Sequence, residues 1–149
     1  MKTTTRFIVI DDDLINNMLC SIVIKGAGEK LRIQTFNAPK TGFGYIEKEY
    51  GNNEKEMPTV LFLDINMPTW TGWEFLENFE KLDENIRKQI KIYMLSSSVD
   101  AKDIDRAKSN PNVVDYISKP LTTKIVSKII MNEIRSSYAP VSVFDQETR

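Results

Sequence analysis

Short apolar runs alternate with amphipathic stretches along the chain. The runs are Phe7–Ile10, Leu31–Phe36, Val60–Leu63, Ile92–Leu95 and Val113–Ile117. They are too short for stable helices and rich in β-branched or aromatic side chains, which predicts strands. Val60-Leu61-Phe62-Leu63 has no polar break, as expected of a strand covered on both faces of a parallel sheet.

Between the runs the period changes to that of a helix. Leu14, Met18 and Ile22, flanked by Ile15, Leu19 and Val23, form a stripe at i, i+4, i+8 spacing, and Gly26-Ala27-Gly28 ends that helix. A second helix is predicted over about Pro39–Tyr50, a third from Gly72 to about Leu82, and a fourth capped by Asp100. Leu121, Ile125 and Ile129, with Val126 and Ile130, mark a fifth after Pro120. The charges of Glu77–Lys91 read as a solvated helix face. Strict alternation of strand and helix predicts a doubly wound α/β sandwich with a five-stranded parallel sheet. Gly51–Pro58 falls outside this scheme as a polar loop, and 138–149 as a short tail.

Composition narrows the chemistry. The 149 residues fit one domain with a real core. Twenty basic against 21 acidic side chains leave a net charge of −1 without a basic block, which argues against nucleic-acid binding. No run is long enough to span a bilayer. One cysteine, Cys20, excludes an internal disulfide, points to a reducing compartment, and reads as a buried, inert thiol. The expected location is the cytoplasm. The chain has no histidine, so a Ser–His or Cys–His pair and an imidazole metal ligand are excluded. Chemistry must rest on carboxylates, hydroxyls, lysine and main-chain groups.

In open parallel sheets, ligands bind beyond the carboxyl ends of the strands. The first strand ends in Asp11-Asp12-Asp13, the third in Asp64, the fourth in Ser96, and the fifth runs into Lys119-Pro120. Clustered carboxylates repel unless a cation neutralises them. A hard divalent ion such as Mg²⁺ does so while keeping waters that a phosphate oxygen can replace. A carboxylate can then act as nucleophile and become an acyl phosphate, with Lys119 and Ser96 binding the other oxygens. Asp64, already ionised near neutral pH, needs no general base.

Taken singly, each feature has a plainer reading. Asp11–Asp13 could cap the first helix, Asp64 could open a turn, and Lys119 could be a solvated charge. Ser96-Ser97-Ser98 could be a polar loop, the preferred reading for Ser97. Tyr116 on its own reads as core packing, as do Met67, Met94 and Met131. Trp73 is expected to anchor the third helix and Trp70 to lie exposed beside the site.

Asp11-Asp12, Asp64-Ile65-Asn66-Met67-Pro68, Ser96 and Lys119-Pro120, after the first, third, fourth and fifth predicted strands, together resemble the receiver domain of response regulators over roughly Arg6–Ile134. The resemblance implies a flavodoxin-like three-layer sandwich with strand order 2-1-3-4-5. Asp64 would be the phosphoacceptor, and Mg²⁺ the cofactor. Asp12 would bind it directly, Asp11 mainly through water, and Asn66 through its main-chain carbonyl. Ser96 would take the place of the switch hydroxyl and Tyr116 that of the switch aromatic. Lys119 would pair with the phosphoryl group, and the Lys119–Pro120 peptide would be cis. A sensor histidine kinase or a histidine phosphotransfer protein would be the donor. A downstream protein would be met by the face made of the fourth helix, fifth strand and fifth helix.

The receiver would occupy 1–137 with no output domain in the tail, and its only catalysis would be its own phosphotransfer and dephosphorylation. Thr69-Trp70-Thr71 departs from the commoner acidic residue before Gly72. Two other readings stay open. A degenerate receiver would bind partners without phosphorylation. A phosphohydrolase with an Asp nucleophile would need a second acid two residues after Asp64, where this chain has Asn66.

Overall fold

All five apolar runs form strands, and they pair as one parallel sheet in the order β2-β1-β3-β4-β5. The strands are β1 (Arg6–Ile10), β2 (Arg32–Phe36), β3 (Thr59–Leu63), β4 (Ile90–Ser96) and β5 (Val113–Ser118). The helices are α1 (Leu14–Ala27), α2 (Pro39–Gly51), α3 (Gly72–Glu80), α4 (Glu84–Arg87), α5 (Ala101–Ser109) and α6 (Thr123–Tyr138). The computed structural model describes residues 6–52 and 54–138. Of the expected tail, 139–149 lie outside the described residues.

Alternation along the central strands divides the core in two. Phe7 and Val9 of β1, with Val60 and Phe62 of β3, pack with Cys20 and Ile24 of α1 and Val126 and Ile129 of α6. Ile8 and Ile10, with Leu61 and Leu63, face the opposite way onto Ile46 of α2, Phe75 and Phe79 of α3 and Ala107 of α5. The result is a three-layer sandwich with α1 and α6 on one face and α2 to α5 on the other. Every residue of β3 is buried, as expected of a central parallel strand.

The expected apolar stripe of α1 does not face the core. Leu14, Ile15, Met18, Leu19 and Ile22 are each more than half exposed, while Asn17, Cys20 and Ile24 are buried. Hydrogen bonds set this rotation. The Asn17 amide donates to the main-chain oxygens of Asp11 at 2.9 Å and Phe36 at 3.4 Å, which turns that side of the helix onto the sheet. Met131 is likewise exposed, whereas Met67 and Met94 are buried as expected.

The stretch Glu77–Lys91 is not one solvated helix. α3 stops at Glu80, Asp83 caps the short α4 by accepting from the Asn85 N–H, and Leu82 and Ile86 are buried four residues apart. Asp100 caps the predicted fourth helix, now α5, by accepting from the Lys102 N–H at 2.9 Å. Trp73 of α3 lies against the core and carries the Arg106 guanidinium of α5 4.4 Å from its ring centre. Trp70 is half-buried, contrary to expectation, with its ring edge-on to Phe43 of α2 at 5.4 Å. Among the described residues no helix is long and apolar enough to cross a membrane.

Candidate functional site

The sheet reverses its strand order at β1, which has β2 on one side and β3 on the other. Ile10 and Leu63 are register partners, so the next residues, Asp11 and Asp64, leave the sheet side by side. The Asp64 N–H donates to the Ile10 carbonyl at 3.0 Å. Asp12 completes the group, and carboxylate oxygens of Asp11, Asp12 and Asp64 lie within 4.8 Å of one another. Asp13 points elsewhere and caps α1, accepting from the Ile15 N–H at 2.9 Å. The capping reading therefore holds for Asp13 and not for its two predecessors.

Lys119 is carried in from β5. Its N–H donates to the Ser96 carbonyl at 2.9 Å, and the following Lys119–Pro120 peptide is cis. The ammonium reaches Asp11 Oδ2 at 2.6 Å and stands 3.7 Å from Asp64 Oδ1. Burial alone would lower the Lys119 pKa, but its hydrogen bond to Asp11 and the charge of Asp64 outweigh that and hold it above the ordinary value. Burial, then the neighbouring charge of Asp11, pushes the Asp64 carboxyl up from 3.8 to about 6, although Lys119 opposes the rise. Asp64 is thus still mainly ionised at pH 7, but by a much narrower margin than an ordinary aspartate. Three oxygen donors in one cleft, one of them held against its charge by burial and like charge, fit a hard divalent cation.

The β3–α3 loop closes one side of the cleft. Gly72 starts α3 where a Cβ would come within 2.4 Å of the Asp64 carbonyl oxygen. Thr69 holds φ at 65°, a left-handed conformation that β-branched residues rarely adopt. Asn66 is exposed on this loop.

Comparison with known proteins shows the family. The model of the response regulator receiver domain matches residues 7–130. The chain belongs to the response regulator receiver family. A two-component response regulator from Cytophaga hutchinsonii is 27% identical, with 89% of this chain and 100% of that one covered at a TM-score of 0.76. A response regulator receiver protein from Dyadobacter fermentans is 26% identical, with 87% and 97% covered at a TM-score of 0.76. The chemotaxis protein CheY4 of Vibrio cholerae shares the fold at 18% identity, with 87% and 98% covered and a TM-score of 0.68. No significant match was found among curated protein sequences.

Within this receiver, Ser96 is 1% exposed at the end of β4, and its hydroxyl accepts from the Ser98 N–H at 3.2 Å. Ser98 is tied at every polar atom. Its hydroxyl donates to Asp103 of α5 at 2.8 Å and accepts from the Asp100 N–H at 3.3 Å. Its carbonyl accepts from the Tyr116 hydroxyl. Tyr116 is half-buried and packs against the core, so it meets the packing reading while also touching the loop that follows Ser96. Cys20 is buried, and burial, then the charge of Asp11, pushes its thiol up to about 11.

Sequence reasoning passed over two receiver residues that touch the site. Asn16 donates its side-chain amide to Asp11 Oδ2 at 2.8 Å, and Asn17 donates to the Asp11 carbonyl at 2.9 Å. The available signal was a pair of amides interrupting an otherwise apolar helix within one to two turns of the acidic cluster.

Proposed function

We propose that this receiver acts in a two-component phosphorelay and accepts a phosphoryl group on Asp64 in a Mg²⁺-dependent reaction. The observation that carries this reading is the gathering of Asp11, Asp12 and Asp64 oxygens within 4.8 Å, with the Lys119 ammonium 3.7 Å from Asp64. Asp11, Asp12, Asp64 and the Asn66 main-chain carbonyl would hold Mg²⁺, which supplies neutralisation of charge on the transferring group. An Asp64 carboxylate oxygen attacks phosphorus as the bond to the donor's imidazole nitrogen breaks, and the nitrogen retains that electron pair. Lys119 shifts from Asp11 toward the new phosphoryl oxygens and pairs with the negative charge they carry.

The phosphoryl group carries roughly −1.5 to −2 charge units, in place of the single charge of the Asp64 carboxylate. The Ser96 hydroxyl then turns from the Ser98 N–H to donate to a phosphoryl oxygen. Because the Ser98 carbonyl holds Tyr116 and its hydroxyl holds Asp103, the rearrangement passes to the surface of α5, β5 and α6, where a downstream protein binds. A sensor histidine kinase or histidine phosphotransfer protein in the cytoplasm supplies the phosphoryl group. The exposed apolar stripe of α1 begins one residue after Asp13 and offers such a donor a surface beside Asp64. Nucleic acid and membrane have no role.

Intact mass after treatment with acetyl phosphate tests the proposal. One phosphoryl adduct is expected with Mg²⁺, none with EDTA, and none on Asp64→Asn. A folded wild type that takes no adduct under fast sampling would replace this reading with a phosphorylation-independent binding module.

A further inference from the structure

Asp11 is 1% exposed, so its carboxylate depends on protein donors rather than water. Oδ1 accepts from the Asp13 N–H at 2.9 Å. Oδ2 takes two donors, the Lys119 ammonium at 2.6 Å and the Asn16 side-chain amide at 2.8 Å. These two donors differ in kind. Lys119 is a cation on a flexible stem, already poised between Asp11 and Asp64, and a divalent ion entering among the carboxylates repels it. Asn16 is neutral and sits in the first turn of α1, which is anchored by the Asp13 cap. Helical side chains lean toward the N-terminus, which directs this one back onto Asp11. The other reach of the amide is to Cys20 Sγ at 3.6 Å, one turn further along the same helix, so the side chain is fixed from both sides.

We infer that Asn16 is a positioning residue, which holds the Asp11 carboxylate in the orientation that receives a divalent cation. The inference deepens the phosphoacceptor reading and rests on it. Without the amide, Lys119 is the only side-chain donor to Oδ2 among the described residues, and once the cation displaces it no side chain orients that oxygen. Hydrogen-bond partners that orient metal-binding groups typically change affinity 10- to 100-fold when removed. Asn16 shares its oxygen with a second donor, so the lower end applies.

The test is calorimetric titration of the unphosphorylated protein with Mg²⁺ alone. Asn16→Ala is expected to weaken Mg²⁺ binding about tenfold, while Asn16→Gln, which keeps the amide, recovers part of the loss. Alanine and glutamine are both good helix formers at this half-exposed position, so both variants should stay folded, with a cooperative urea transition. In an Asp11→Ala background, Asn16→Ala should change Mg²⁺ affinity no further. Wild-type affinity in Asn16→Ala, or an equal loss in both backgrounds, would overturn the inference and leave the phosphoacceptor reading standing. A wild type that binds no Mg²⁺ would overturn both.

Discussion

Replacing Asp64 by asparagine is expected to stabilise the folded protein when divalent ions are absent, by an amount that depends on pH. The folded-state carboxyl titrates near 6 because it is buried and faces Asp11, against 3.8 for an ordinary aspartate. At about 1.4 kcal/mol per pKa unit, the ionised side chain opposes folding by about 3 kcal/mol at neutral pH. Asparagine removes that charge but leaves Lys119 its closer partner, Asp11, at 2.6 Å.

The direction with pH follows from proton counts. Between pH 4 and 6 the folded protein holds a proton on Asp64 that the unfolded chain has released, so wild-type stability falls as pH rises through that window. The asparagine variant lacks this slope. Urea unfolding in EDTA at pH 4, 5, 6 and 7.5 measures it. With m of about 1–3 kcal/mol per molar, the variant's midpoint should exceed the wild type's by at least about 1 M at pH 7.5 and converge on it near pH 4. A variant no more stable than wild type at pH 7.5, or an advantage that does not change with pH, would refute the electrostatic reasoning. Adding Mg²⁺ at about a hundred times its Kd should return up to about 2.7 kcal/mol to the wild type and narrow the gap.

Gly72→Ala should lower stability by about 1–3 kcal/mol, toward the upper end because the new Cβ meets backbone, the Asp64 carbonyl oxygen at 2.4 Å and the Ile65 Cα at 3.0 Å; a urea midpoint matching wild type would contradict that geometry. Thr69→Gly should raise stability by about 0.5–1 kcal/mol, since the left-handed strain at φ 65° outweighs the added chain entropy; thermal unfolding at a lower temperature than wild type would count against it. On α1, Leu19→Lys should stay within about 0.5 kcal/mol of wild type, whereas Ile24→Ala should lose about 2–5 kcal/mol, because Leu19 is 52% exposed and Ile24 fully buried. The reverse order in thermal unfolding would contradict the observed rotation of that helix.

The architecture was legible because strand and helix alternate with clear changes of period, and each apolar run is too short to be anything but a strand. The acidic residues were legible for a related reason. Asp11 and Asp64 each follow directly after a buried run, and in a parallel sheet that places them at one edge whatever the side chains do. Ser96 and Lys119 follow by the same rule.

Orientation was decided by tertiary contacts. Periodicity shows that α1 has an apolar stripe but not which way the helix is turned, and the hydrogen bonds of Asn17 to Asp11 and Phe36 turn the stripe outward. The charges of Glu77–Lys91 concealed Leu82 and Ile86, whose burial depends on the neighbouring core. The high pKa of Asp64 arises only once β1, β3 and β5 bring their ends together, whereas the tie between Asn16 and Asp11 is local to the β1–α1 junction. Local pattern specifies which elements form, because propensity and period act over a few residues. Helix rotation, burial of polar groups and shifted ionisation depend on groups distant in the chain, and only the folded structure sets those distances.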